Sequence, residues 1–171
     1  MGQKMKKYLI TPDSFVSDVV RPTLADMALA LGRPAIYTEN TVELLAVIAA
    51  HESGRFRHRI QVGGPALSLY QIEPDTLNDM INNWLFSRSE WRDFFDREKN
   101  SGIEVHENLL SDRFSTICAR MQLWRVSESI PDDLMEKCRY AKKYWNTPLG
   151  KATPEKYRDD FVACYPNGVP R

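Results

Sequence analysis

Asn40-Thr41-Val42-Glu43-Leu44-Leu45-Ala46-Val47-Ile48-Ala49-Ala50-His51-Glu52-Ser53-Gly54 is the stretch on which the fold turns. Leu44, Leu45, Val47, Ile48 and Ala49 make it apolar almost all round, and a helix of that kind belongs at the centre of a domain. Asn40 or Thr41 can cap its start, and Glu43 follows Asn40 by three, as in a capping box. Gly54 supplies a C-terminal stop. The apolar run from Leu44 to Ala50 is far too short to span a membrane.

Working outward, apolar residues recur at helical spacing on both sides. Phe15 and Val19, then Leu24, Met27, Ala28 and Leu31, predict helices over 14–20 and 22–31, with Pro22 in a first turn and Gly32 as a stop. Residues 37–41 read as a connector. Beyond Gly54, residues 55–67 hold Gly63, Gly64 and Pro65 and predict a turn-rich connection, either irregular or a small β-hairpin. Further helices are predicted over 74–84, 109–124, 132–144 and 154–163, with a charged segment carrying Trp91, Phe94 and Phe95 between the first two. The expected fold is mainly α. The expected organisation is a single domain over 1–171, with an N-terminal arm (1–13) and a helical body (14–171).

Composition narrows the function classes. Lys plus Arg and Asp plus Glu number 23 each, so the net charge is zero, and the basic surplus of a nucleic-acid binder is missing. Met1-Gly2-Gln3-Lys4-Met5-Lys6-Lys7 has the charge of a signal-peptide start, but Tyr8-Leu9-Ile10 is cut short by Thr11-Pro12-Asp13, so no signal peptide and no membrane insertion are expected. Cys118, Cys138 and Cys164 are odd in number and form no CxxC pair, which predicts free thiols. His51, His58 and His106 have no ligand spacing; no metal and no cofactor are expected.

Glu52 is the residue that suggests chemistry. At the end of an apolar helix a carboxylate is desolvated, which raises its pKa, and the negative end of the helix dipole pushes the same way. A carboxylic acid that stays protonated near neutral pH is what glycoside cleavage needs for the leaving oxygen. The plainer alternative is that Glu52 caps the helix or pairs with Arg55. Ser53 has no base at nucleophile spacing and reads as orienting Glu52 or capping the helix.

Glu52-Ser53-Gly54, with Phe56 close behind, precedes Ala66-Leu67-Ser68-Leu69-Tyr70-Gln71-Ile72-Glu73-Pro74-Asp75-Thr76. This pair of motifs resembles the lytic transglycosylases and goose-type lysozymes, whose pattern is a catalytic Glu in Glu-Ser-Gly followed by Gly-Leu-Met-Gln-Ile-x-Pro-x-Thr. Glu52, Ser53, Gly54, Phe56, Leu69, Gln71, Ile72, Pro74 and Thr76 match. Ser68 replaces the family's Gly, where a side chain narrows the approach of backbone to sugar, and Tyr70 replaces its Met and keeps a flat apolar surface. Looser likeness over most of the chain, including Arg21-Pro22-Thr23-Leu24 and Tyr144-Trp145-Asn146-Thr147-Pro148-Leu149-Gly150-Lys151, is similar to phage-encoded lysozyme-like proteins.

The resemblance implies a lysozyme-like fold acting on peptidoglycan glycan strands, with Glu52 as acid and then base. A transglycosylase needs no second carboxylate; a hydrolase does, and Glu73 and Asp75 are its candidates, although Asp75 fits the first turn of a helix after Pro74 better than a catalytic role. Gln71 can bond a sugar or a backbone group of its own turn. Ser53, Ser68, Tyr70, Gln71, Tyr144 and Asn146 are the candidate substrate-binding residues, with Tyr144 and Asn146 standing for the family's late Tyr-Asn pair. Trp84, Trp91, Trp124 and Trp145 suit core packing better than sugar stacking. The expected setting is a phage virion, or host cytoplasm before assembly, with action at the bacterial cell wall and virion or tail proteins as further partners. The competing reading is a non-catalytic structural virion or tail component on the same scaffold.

Overall fold

A computed structural model describes residues 10–146 and 150–171 of the chain. Among these the protein is mainly helical, with α1 (Pro12–Ser14), α2 (Arg21–Ala30), α3 (Glu39–Glu52), α4 (Pro74–Asp79), α5 (Ser89–Glu98), α6 (Asp112–Trp124), α7 (Leu134–Tyr144) and α8 (Pro154–Cys164). The expected N-terminal arm lies outside the described residues from Met1 to Leu9. Helix starts earlier than expected, at Pro12, because Thr11 and Ser14 cap each other reciprocally. A π-helical stretch, Phe15–Val20, then runs unbroken into α2. Pro22 removes one N–H from that ladder, and the wider π spacing just before it absorbs the defect.

α3 is the axis of the molecule. Val42 and every residue from Leu44 to Ala50 are fully buried, and the π-helical stretch, α6, α7 and α8 pack around them. Each large apolar side chain so buried contributes about 1.5–3 kcal/mol. The start of α3 corrects the expected capping box. Thr38, in extended conformation, is the N-cap and accepts from the Thr41 N–H at 3.1 Å. Asn40 and Glu43 do other work. Asn40 bonds Asp132, and Glu43 pairs at 2.9 Å with the buried Lys137, whose Nζ also donates to the Asp132 carbonyl at 2.6 Å. That buried cation fastens α7 to α3, and its two acceptors offset its desolvation.

No β-hairpin ladder forms among the described residues after α3. Two isolated antiparallel bridges, Ile60 with Leu67 and Leu67 with Ile72, hold an otherwise irregular loop. Arg59 anchors the loop to the start of α6 through a two-pronged contact with Asp112 at 2.9 and 3.0 Å. α4 continues into π-helical Met80–Trp84, and the charged segment that follows contains α5, whose Trp91, Phe94 and Phe95 share one face. Cys118, Cys138 and Cys164 are free thiols. Among the described residues no helix is long and apolar enough to cross a membrane.

Candidate active site

Glu52 ends α3, and the chain leaves the helix through three consecutive left-handed residues: Gly54 (φ +59°), Arg55 (φ +62°) and Phe56 (φ +65°). For the two non-glycine residues this conformation is strained, by order ~1–3 kcal/mol each. Specific contacts hold them. Ser53, fully buried, donates to the Ala49 carbonyl at 2.6 Å and accepts from the Phe56 N–H at 2.7 Å. Arg55 bonds Asp160 at 2.7 Å, and the Phe56 ring packs edge-on against Phe15. Ser53 therefore fixes the backbone behind Glu52, and its side chain is fully buried.

The Glu52 carboxyl itself is partly buried between α3, α7 and α8. The Tyr157 hydroxyl, from α8, donates to its Oε1 at 2.5 Å. Desolvation by burial pushes the Glu52 pKa above the ordinary carboxylate range. The Tyr157 hydrogen bond, the electrostatic influence of His51, the Asn146 side chain and the Lys142 charge pull in the opposite direction without cancelling it. Tyr157 is driven upward in turn by its own burial and by the Glu52 charge, so the shared proton stays on the phenol. The Tyr157 ring lies 4.0 Å from the His51 ring, and His51 Nδ1 bonds Asp160 Oδ2 at 2.8 Å. Asp160 thus ties both Arg55 and His51 to α8. The simple pairing of Glu52 with Arg55 does not occur.

The second motif divides between core and cleft. Ser68 (φ +77°) and Gln71 (φ +51°) are both left-handed, so glycine suits position 68 for a backbone reason rather than for close approach of a sugar. Ser68 is fully buried and accepts from the Tyr70 N–H at 3.1 Å. Tyr70 is fully buried too. Thr116 gives its one hydroxyl proton to the Asp112 carbonyl, at 2.7 Å, so Tyr70 donates to Thr116 Oγ1 at 3.0 Å. The structure places Ser68 and Tyr70 in the core, and Tyr70 offers no flat surface to solvent.

Gln71 donates to the Ser68 carbonyl at 2.7 Å, satisfying its own turn, and its side chain also lines a cavity of about 160 Å³. Glu73, Thr76, Tyr144 and Trp145 line the same cavity, with Cys118 at its base. Glu73 is exposed and occupies the N-cap position of α4 without capping it; Asp75, also exposed, sits in the first turn of α4 and does not line the cavity. Tyr144 bonds Glu128, not Glu52, so the tyrosine that reaches Glu52 is Tyr157. Trp145 joins the two halves of the site. It lines the cavity, its indole N–H donates to the Tyr70 carbonyl at 3.0 Å, and its neighbour Asn146 acts on Glu52. Thr147, Pro148 and Leu149 of the late motif lie outside the described residues.

Tyr157, His51 and Asp160 escaped the sequence reading. The signal was available only in part: Tyr157 and Phe161 on α8 and Tyr165 just after it repeat every four residues, which marks a buried face, and a buried tyrosine needs a partner. Which partner depends on how α8 packs against α3. Among the described residues no group of His, Cys, Asp and Glu could hold a metal ion. No family model, no curated protein and no solved structure matches the chain.

Proposed function

We propose that the protein cleaves peptidoglycan glycan strands at the β-1,4 bond between N-acetylmuramic acid and N-acetylglucosamine, with Glu52 as general acid and then general base, as a lysozyme-like component of a phage virion. One observation carries the reading: a carboxyl at the end of the central helix whose pKa is raised by burial and whose Oε1 is fixed by the Tyr157 hydroxyl. With Oε1 accepting, the acid form carries its proton on Oε2, ready for a glycosidic oxygen. In a transglycosylase the ionised Glu52 then accepts the proton of the attacking hydroxyl. The nucleophile there is the 6-hydroxyl of the muramic acid, which closes an anhydro ring. In a hydrolase it is water, activated by Glu73 or Asp75. We favour the transglycosylase route, which needs no second carboxylate.

A second reading, a non-catalytic virion or tail component, draws support from surface chemistry. Leu29, Ile60, Val62 and Phe86 are large apolar residues left exposed, and Ser68 and Tyr70 face the core. Mass spectrometry of muropeptides released by the wild type and by Glu52→Gln separates the readings. Anhydro-muropeptides from the wild type, with release reduced about 10²–10⁴-fold in the variant, are expected. Reducing-end products would indicate hydrolysis and place Glu73 and Asp75 under test by mutation. Release from neither folded protein would overturn the enzymatic reading.

A further inference from the structure

On the face of the molecule formed by the start of α3 and the end of α6 lies an open groove of about 450 Å³, separate from the Glu52 site. α3 has 14 residues, so its two ends are ~20 Å apart at 1.5 Å per residue. The groove is walled by Leu123, Trp124, Val126 and Ile130 and carries Thr38, Ser127 and Ser129 at its polar edge. Its volume is in the range of sites that hold small organic ligands.

Arg120 is the group that gives the groove a chemistry. It is 4% exposed. Its Nε donates to the Ile36 carbonyl at 2.9 Å and one Nη2 hydrogen to the Ala35 carbonyl at 3.1 Å, while the guanidinium lies 4.8 Å from the Trp124 ring centre. Ala35, Trp124 and Tyr140, which surround the guanidinium, all line the groove. A guanidinium has five N–H donors, and two are used here. Among the described residues no carboxylate pairs with it. Glu128, a carboxylate that lines the groove, accepts from Lys143 and Tyr144.

A buried cation is ordinarily kept by an opposite charge, because desolvation alone disfavours it. Burial pushes Arg120 down to about 10, with only Tyr140 opposing, so the charge persists at neutral pH. The N-terminus of α3, capped by Thr38 in the same groove, adds positive potential from a second and independent source.

We propose that this groove is a binding site for a small organic oxyanion, a carboxylate or phosphate group on an apolar body, which completes the charge of Arg120 and lays its apolar part against Leu123, Val126 and Ile130. The carboxylate or phosphate oxygens take the remaining Arg120 N–H groups in a forked arrangement. The inference does not depend on the role of Glu52.

The test is a titration of isotopically labelled full-length protein, followed by two-dimensional amide NMR, with sodium phosphate and with sodium butyrate at constant ionic strength. Saturable shifts confined to residues 35–41 and 120–130 are expected, and whichever anion saturates first identifies the headgroup. Arg120→Met should weaken binding at least tenfold. Because Arg120 also holds the Ala35 and Ile36 carbonyls, Ser127→Glu serves as the second variant. It places a tethered carboxylate at an exposed position of the groove and should likewise weaken binding while keeping the wild-type spectrum elsewhere. Absence of saturable shifts with both anions, or equal saturation in the wild type and Ser127→Glu, overturns the proposal.

Discussion

Replacing Tyr157 by Phe removes one oxygen from the interior and isolates the hydrogen bond that opposes the upward pKa shift of Glu52. The hydroxyl is buried and stands 2.5 Å from Oε1. When Glu52 is ionised, the bond has a charged acceptor, and its loss costs about 1.5–3 kcal/mol; when Glu52 is protonated, the bond is neutral and its loss costs about 0.5–1.5 kcal/mol. The variant should therefore lose ~1 kcal/mol more at mildly alkaline pH than at acidic pH. The linkage has a definite sign. Glu52 has its folded pKa raised above the unfolded value, so its contribution to stability is fully present below the ordinary carboxylate range and lost as pH rises through the raised value. Removing Tyr157's hydroxyl removes an influence that lowers the Glu52 pKa, so in Tyr157→Phe the loss continues to higher pH. Urea denaturation across that range, in wild-type and Glu52→Gln backgrounds, measures the effect. In the Gln background the Tyr157→Phe loss should be independent of pH. An equal loss at both ends of the range in the wild-type background would refute the assignment of Tyr157 as the donor to an ionisable Glu52.

Three further outcomes follow from the packing. Ile48→Ala opens a cavity in the fully buried middle of α3 and should cost about 2–5 kcal/mol in urea denaturation. Thr116→Val strands the Tyr70 hydroxyl without an acceptor and should cost about 1–3 kcal/mol, with Tyr70→Phe in the same chain restoring part of it. Gly54→Ala places a Cβ 3.3 Å from the His58 ring at φ +59°, and should lower thermal stability by about 1–2 kcal/mol while shifting the Glu52 pKa measured by NMR.

Much of this protein was legible in its amino-acid order, because local rules carry it. The run from Leu44 to Ala50 has no polar face and so had to be central; Gly54 had to end it; Glu52, at the boundary between apolar core and turn, had to be desolvated. The late helices followed from their apolar period, while α6 and α7 start at Asp112 and Leu134, later than the expected 109 and 132. The start of α3 did not, because Asn40, Thr41 and Thr38 are all good caps, and the choice of Thr38 rests on Glu43 and Asn40 having partners on and beside α7. α5 was missed because its apolar residues, Trp91, Phe94 and Phe95, are only three among many charges.

The sequence determined by itself which carboxyl would be desolvated at the end of the central helix and which segment would be the turn beneath it. Only the tertiary structure decided who stands around them. Tyr157 reaches Glu52 across 105 positions of chain, Asp160 gathers His51 and Arg55, and Tyr70, which looks like a ligand platform in one dimension, is sealed against Thr116. Motif spacing reports what the backbone does within a few residues. Burial and hydrogen-bond partners depend on which helices meet, and for Glu52 and Tyr70 those meetings are between α3 and α8 and between the loop and α6.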